Sequence, residues 1–144
     1  MPDVTTVDAL KCVMVIDADL PLGLIANTAA VLALSLGKRI EGIIGPDLID
    51  GSGKPHVGIT NIAIPILKGT KPLIQELKLK TVSAEFADLF VVDFSNIAQT
   101  IMQYELYAET LSKRSSEEID YLGIALWGSK KKVARLTGNL PLLR

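Results

Sequence analysis

Lys11 to Ile16 (K-C-V-M-V-I) is an almost wholly apolar run that stops at Asp17. A strand with one wet face alternates apolar and polar residues. This one does not, so it belongs in the middle of a sheet covered on both faces. Helices must then lie on two sides of that sheet. The 144 residues suit one domain, 1–144, and a domain of that size buries roughly two-thirds of its unfolded surface.

The first covering helix is expected at once. Pro21 fits the first helical position, where its missing N–H costs nothing. Leu22 to Leu36 is too long for a strand and apolar nearly all round. Gly37 predicts its stop, and Lys38 and Arg39 suit a helix C-terminus. So little polar surface demands cover from the sheet and from something else. Ile40 to Ile49 and Val57 to Leu67 read as strands, and Asp50 to Pro55 (D-G-S-G-K-P) as the turn of a hairpin between them. Pro65 places that end at an edge or a strand terminus.

Thr70 to Leu79 predicts a helix with Leu73, Ile74 and Leu77 on one face. Ala87 to Val92 is a second buried strand, ending at Asp93. Ile97, Ile101, Tyr104, Ala108 and Leu111 recur at helical spacing, which predicts one amphipathic helix over Ser95 to Lys113. Ile119 to Trp127 is a last strand, and Ser129 to Leu136 a short helix closed by Gly138. The fold class is therefore α/β: a mixed, mostly buried sheet flanked by helices, without repeat or linker.

Fifteen Lys+Arg against 16 Asp+Glu give a formal charge of −1, so no global field draws the chain to nucleic acid or an anionic membrane. The one cysteine, Cys12, rules out an internal disulfide, fits a reducing compartment and reads as core. Asp3 and Asp8 precede the first lysine, Lys11, unlike the basic start of a secretory leader. The longest apolar run, Ala29 to Leu34, is far short of a membrane span. A cytoplasmic protein without membrane contact is the expectation.

Gly51-Ser52-Gly53-Lys54 looks like a phosphate loop, but the upstream glycine is absent, Pro55 holds the Ser/Thr position and no helix follows. No His/Cys/carboxylate set has metal-ligand spacing. Neither a metal nor a cofactor is expected. The sole histidine, His56, lies in a turn far from Ser95, which argues against a Ser-His pair.

Three stretches resemble, in order, the type 2 peptidyl-tRNA hydrolases. They are Asp19-Leu20 with Gly23-Leu24-Ile25-Ala26 after the opening strand; a strand–helix–strand unit from Ile62 to Asp93; and Leu122 to Gly128 with Thr137-Gly138-Asn139-Leu140-Pro141-Leu142-Leu143 at the end. With D-F-S-N-I-A-Q and Y-L-G-I-A-L-W-G, the whole pattern is closer still to a bacterial family with that fold, catalogued as domain of unknown function two thousand. The resemblance implies a peptidyl-tRNA hydrolase-like fold and an aspartate site at Asp93. It argues against ordinary hydrolysis, because Leu24 stands where the hydrolases have a lysine implicated in catalysis. Leucine can neither donate a hydrogen bond nor hold a phosphate. Thr28 and Val31 replace the hydrolases' glutamine and histidine, and Ser95-Asn96-Ile97-Ala98 replaces their G-R-T-Q loop.

Ligand sites of open α/β sheets gather at the carboxyl ends of strands, where Asp19 and Asp93 stand. Two carboxylates in one crevice suit acid–base work, although each also suits a helix cap. Gly23 and Asn27 lie four residues apart on one helix face. There a missing side chain would let a ligand approach, and a buried Asn27 amide beside Thr28 would need partners. Ser95, Asn96 and Gln99 add donors near Asp93, with Ser95 also a natural N-cap. Ser129, Lys130 and Lys131, followed by Lys132 and Arg135, form either an anion site at a helix start or a solvated basic turn. Tyr104, Tyr107 and Trp127 read as packing rather than as stacking platforms.

Three functions follow. The first is binding of a small polar or anionic ligand by a crevice of Asp19, Gly23, Asn27, Asp93 and Ser95. The second is a hydrolase or acyl-transfer enzyme using Asp93 with Asn27 or Ser95. The third is a homodimeric interaction module built on the Leu22–Leu36 and Ser95–Lys113 helices. A tRNA partner is allowed by the resemblance but not favoured by the charge.

Overall fold

A computed structural model describes residues 9–144; Asp3 and Asp8 lie outside the described residues. In chain order the elements are β1 (Leu10–Asp17), α1 (Leu22–Arg39), β2 (Leu48–Ile49), β3 (Pro55–His56), β4 (Ile66–Gly69), α2 (Lys71–Thr81), β5 (Phe90–Ser95), α3 (Asn96–Thr100), α4 (Tyr104–Ser112), β6 (Tyr121–Ser129) and α5 (Lys130–Thr137). The main sheet has four strands in the order β4-β1-β6-β5. β1 runs parallel to β4 and antiparallel to β6, and β6 runs antiparallel to β5. The sheet is mixed, and Val15, Ile16, Ile124 and Ala125 on its two central strands are fully buried.

Alternation sorts the side chains into two cores. Cys12, Met14, Ile16, Phe94 and Ala125 pack with Leu32 and Leu36 of α1. Val13, Val15, Ile124 and Leu126 pack on the other face with Ile74 and Leu77 of α2, Ile97 of α3, and Val133 and Leu136 of α5. α1 comes close because Gly123 has no side chain: a Cβ there would lie 2.7 Å from Thr28 Cγ2 and 3.2 Å from Leu32 Cδ1.

Three expectations need correction. α1 does not stop at Gly37 but runs to Arg39, where the Ile40 N–H closes on the Leu36 carbonyl at 2.9 Å. Gly37 does not take a positive φ, so the left-handed turn that usually ends a helix is absent. The long hairpin shrinks to the two-residue strands β2 and β3, with a further bridge from Ile44 to Thr60. Pro46 and Pro55 lack the N–H a ladder needs, and the carboxylate of Asp50 holds the turn by accepting bonds from the Ser52 and Lys54 N–H groups. The second half leaves the hairpin altogether: β4 joins β1 in parallel, with Pro65 just before it.

The Ser95–Lys113 helix is broken. Thr100 Oγ1 donates back to the Asn96 carbonyl, Ile101 is extended (φ −110, ψ 113), and α4 starts afresh after Gln103. The break changes the helical phase. Ile101, Tyr107 and Leu111 now face the core, while Tyr104 and Ala108 face water.

Two glycine substitutions should separate these environments. Gly123→Ala should lower stability by about 1–3 kcal/mol, because the added methyl overpacks the α1 contact. Gly23→Ala should raise it by up to about 1 kcal/mol, since nothing lies within 4 Å of its Cβ position and alanine is the better helix former. Urea denaturation of both variants checks the pair.

Candidate functional site

The carboxyl ends of β1, β4 and β5 share one end of the sheet with the start of β6, as the pairings Asp17↔Gly69 and Ser95↔Tyr121 require. Asp93 opposes Ile124 in the β5–β6 register and therefore faces the α2 side. There its Oδ2 lies 3.1 Å from Nζ of Lys78, with both side chains little more than a quarter exposed. Lys78 stands one turn after Ile74, so the packing of α2 on the sheet aims it at Asp93.

Two phenols complete the group. Burial raises the pKa of Tyr107 above its ordinary value, and the Asp93 carboxylate adds to the effect. Tyr121 is raised by the same two causes in the same order. Both hydroxyls therefore hold their protons more tightly than an exposed tyrosine does. Tyr104 extends the group outward, edge-to-face with Tyr107 at 5.5 Å between ring centres, and is 80% exposed.

The other expected residues lie elsewhere or do other work. Asp19 is exposed, and its N–H donates to Oδ1 of Asp17 at 3.0 Å. The buried carboxylate at the end of β1 is thus Asp17, which turns the chain toward α1. Asp19 does not cap α1; Pro21 holds that position with no side-chain cap. Gly23 and Asn27 are exposed on α1, across the sheet from Asp93, so Asn27 is not the buried amide expected. Thr28 is fully buried and satisfied by donating to the Leu24 carbonyl at 2.7 Å. Leu24 packs against the α1-side core.

Ser95 is 1% exposed and its Oγ accepts the Ala98 N–H at 3.3 Å, which makes it the N-cap of α3. Asn96 ties β5 to the entry of β6 through Asp120, its N–H donating to the Asp120 carbonyl at 2.9 Å. Ser129, Lys130 and Lys131 sit at the opposite end of the sheet from Asp93, where Leu10 opposes Ser129. The Lys130 N–H is already spent on the Ala9 carbonyl at 2.7 Å, and Lys132 Nζ pairs with Asp88 at 2.8 Å. Trp127 is half-buried against the α1-side core.

Of this group the sequence singles out only Asp93 as a candidate; Tyr107 reads there as packing, and Lys78, Tyr121 and the buried Asp17 are not singled out. Lys78 had one visible signal, since four residues after Ile74 it falls on the apolar face of its helix. Among the described residues no group of three or more His, Cys, Asp or Glu side chains forms a metal cluster. None of the described helices is long and apolar enough to cross a membrane.

The family profile described as protein of unknown function (DUF2000) matches residues 10–144. The chain belongs to this family. Among solved structures it is similar to a protein of unknown function, Atu0240, from Agrobacterium tumefaciens strain C58. That likeness has a TM-score of 0.82 at 17% identity and covers 93% of this chain and 97% of that one. No curated protein matches the chain in sequence. The DUF2000 profile and the neighbour together support a mixed α/β fold and carry no activity.

The coupling of Asp93 to the phenols gives a direct test. In an ultraviolet pH titration, Tyr107 and Tyr121 should ionise above the ordinary tyrosine range. Asp93→Asn should lower both midpoints while leaving the part due to burial. The sign follows from linkage: a raised phenol pKa favours the fold below the unfolded value and ceases to do so as pH rises through the folded one. Midpoints unchanged in Asp93→Asn would mean that the carboxylate does not face the rings.

Proposed function

We propose that the Asp93–Lys78 centre, with Tyr107 and Tyr121, binds a small polar or anionic ligand in a cytoplasmic bacterial protein of peptidyl-tRNA hydrolase-like fold. The observation that carries this reading is the half-buried ion pair itself. Such pairs contribute little to stability, about 0–1 kcal/mol when partly wet, yet here one sits at the carboxyl end of a sheet beside two phenol donors. One ligand could meet an acceptor, a cation and two hydroxyls together. Asp19 and Asn96 stand on the rim at the same end of the sheet. Gly23, Asn27 and Thr28 belong to the other face, and the basic turn at Ser129–Lys131 to the other end, so neither set joins this site.

A catalytic reading draws on one observation. Lys78 brings a lysine to Asp93 although Leu24 cannot, so a hydrolase or acyl-transfer reaction would use Asp93 and Lys78 as its acid–base pair. Ser95 is occupied as a cap, and Asn27 is across the sheet. The net charge and the apolar setting of Leu24 still disfavour tRNA.

Thermal melting in the presence of N-acetylamino acids, dicarboxylates and nucleoside monophosphates tests the binding reading. A ligand at 100 times its Kd stabilises by about 2.7 kcal/mol. One of these classes should raise the wild-type melting temperature by several degrees and leave Asp93→Asn and Lys78→Met unmoved. Equal shifts in all three proteins, or none in any, would sink the proposal. Release of acyl-amino acid from N-blocked aminoacyl-tRNA, lost in both variants, would instead establish catalysis.

A further inference from the structure

The two edges of the sheet are treated differently. The outer side of β4 is covered by the chain end: the Lys68 N–H donates to the Pro141 carbonyl at 2.8 Å, and the Leu143 N–H to the Ile66 carbonyl at 2.9 Å. β5 has β6 on one side, and among the described residues no backbone group bonds the other side of Phe90–Phe94. Phe90-Val91-Val92 carries none of the lysines or prolines that usually blunt an edge. Beside it, Leu34, Ser35, Lys38 and Arg39 of α1 close an open groove of about 400 Å³ with those three residues. Leu34 is 78% exposed, and α1 carries no charge from Leu22 through Gly37.

We propose that this surface is covered by a second copy of the chain, with β5 pairing antiparallel to β5 of the second copy about a two-fold axis. The edge is self-complementary. Directly opposed residues in an antiparallel pair share a face, so the axis must pass through a residue. With Val92 on the axis, Phe90 meets Phe94 of the second copy and Val91 meets its Asp93, so no like charges oppose. Lys38 and Arg39 line the Phe90–Val92 half of β5, and antiparallel pairing carries those of the second copy to the other end.

The extent of the surface suits a dimer. An 18-residue helix is about 27 Å long. With the groove and the edge beside it, the strip is roughly 20 Å across, on the order of 500 Å² in plan. Corrugated by Leu34 and the open groove, that area approaches the ~800 Å² per partner of a standard interface. Two cations at a helix end, where they offset the helix dipole, make a poor site for nucleic acid. A self-complementary strip with cations only at one end favours its own copy.

The test uses the whole chain. Sedimentation equilibrium at micromolar concentration should give about twice the 15.5 kDa chain mass, and Leu34→Lys should shift it to monomer by at least tenfold in Kd. Because Leu34 is exposed, that variant should keep the wild-type circular dichroism. Mild oxidation then locates the axis. Residues on a two-fold in an antiparallel pair have Cα atoms about 4.5–5.5 Å apart, within disulfide range. Val91→Cys or Val92→Cys should therefore form a covalent dimer, and Leu48→Cys on the hairpin should not. The native Cys12 is buried, its thiol pushed up to about 11 by burial, and should stay silent. A wild-type monomer overturns the proposal. So does a dimer indifferent to Leu34→Lys, or cross-linking at Leu48→Cys but at neither valine.

Discussion

The pairing of β1 with β6 holds the rest of the molecule in place. Its register runs unbroken from Leu10↔Ser129 to Ile16↔Gly123, and both strands have helices on both faces. Fully burying one large aliphatic side chain stabilises by about 1.5–3 kcal/mol, and this ribbon contributes Val13, Met14, Val15, Ile16, Ile124 and Leu126. Everything else is placed relative to it. β4 and β5 add at its two sides, α1 settles where Gly123 leaves room, and α2 and α5 close the other face. A one-residue slip would exchange the two cores completely, since strand side chains alternate with a period of two.

That alternation also decides which polar groups can meet. Asp93 and Phe94 are neighbours in sequence, yet Phe94 packs under α1 while Asp93 reaches Lys78 of α2. A crevice uniting Asp93 with Gly23 and Asn27 would need α1 and Asp93 on the same side of the sheet. The bulge between Phe94 and Ser95 then lets Ser95 serve as the cap of α3. The carboxyl end of the sheet still gathers the polar groups, but only one face of it carries the ion pair and phenols.

The strands that lack alternation were legible because burial on both faces leaves no polar position to disguise them. Lys11–Ile16 and Ile119–Trp127 therefore stood out, and both are found shifted by only a residue or two. The hairpin was misjudged because β-branched residues from Val57 to Leu67 suit a strand without saying which strand they join. Pairing partner is a non-local choice, and β4 chose β1. The split of Ser95–Lys113 was hidden for a different reason. Ile97, Ile101, Tyr104, Ala108 and Leu111 do match one helical face, but tertiary packing favours a break that swaps Tyr107 for Tyr104 at the core. Of the proposed site, Asp93 is visible at the end of its strand. Lys78 belongs to a helix some fifteen residues earlier, and only the docked sheet reveals that the two side chains meet.

The terminal stretch T-G-N-L-P-L-L is one of the three that carry the family resemblance, and its role in the structure is mechanical. It covers the β4 edge with two backbone hydrogen bonds, placing Leu140 against one core and Leu143 against the other. Pro141 suits the job, because it presents a carbonyl to Lys68 and no N–H to be left unpaired. A signature made of edge cover, a close-approach glycine and a buried ribbon specifies architecture. Chemistry depends instead on which few polar side chains the architecture brings together. In the proposed reading those are Asp93, Lys78, Tyr107 and Tyr121, drawn from β5, α2, α4 and β6. No contiguous motif can announce a group assembled from four separate elements, which is why likeness to a family settles the fold well before it settles the reaction.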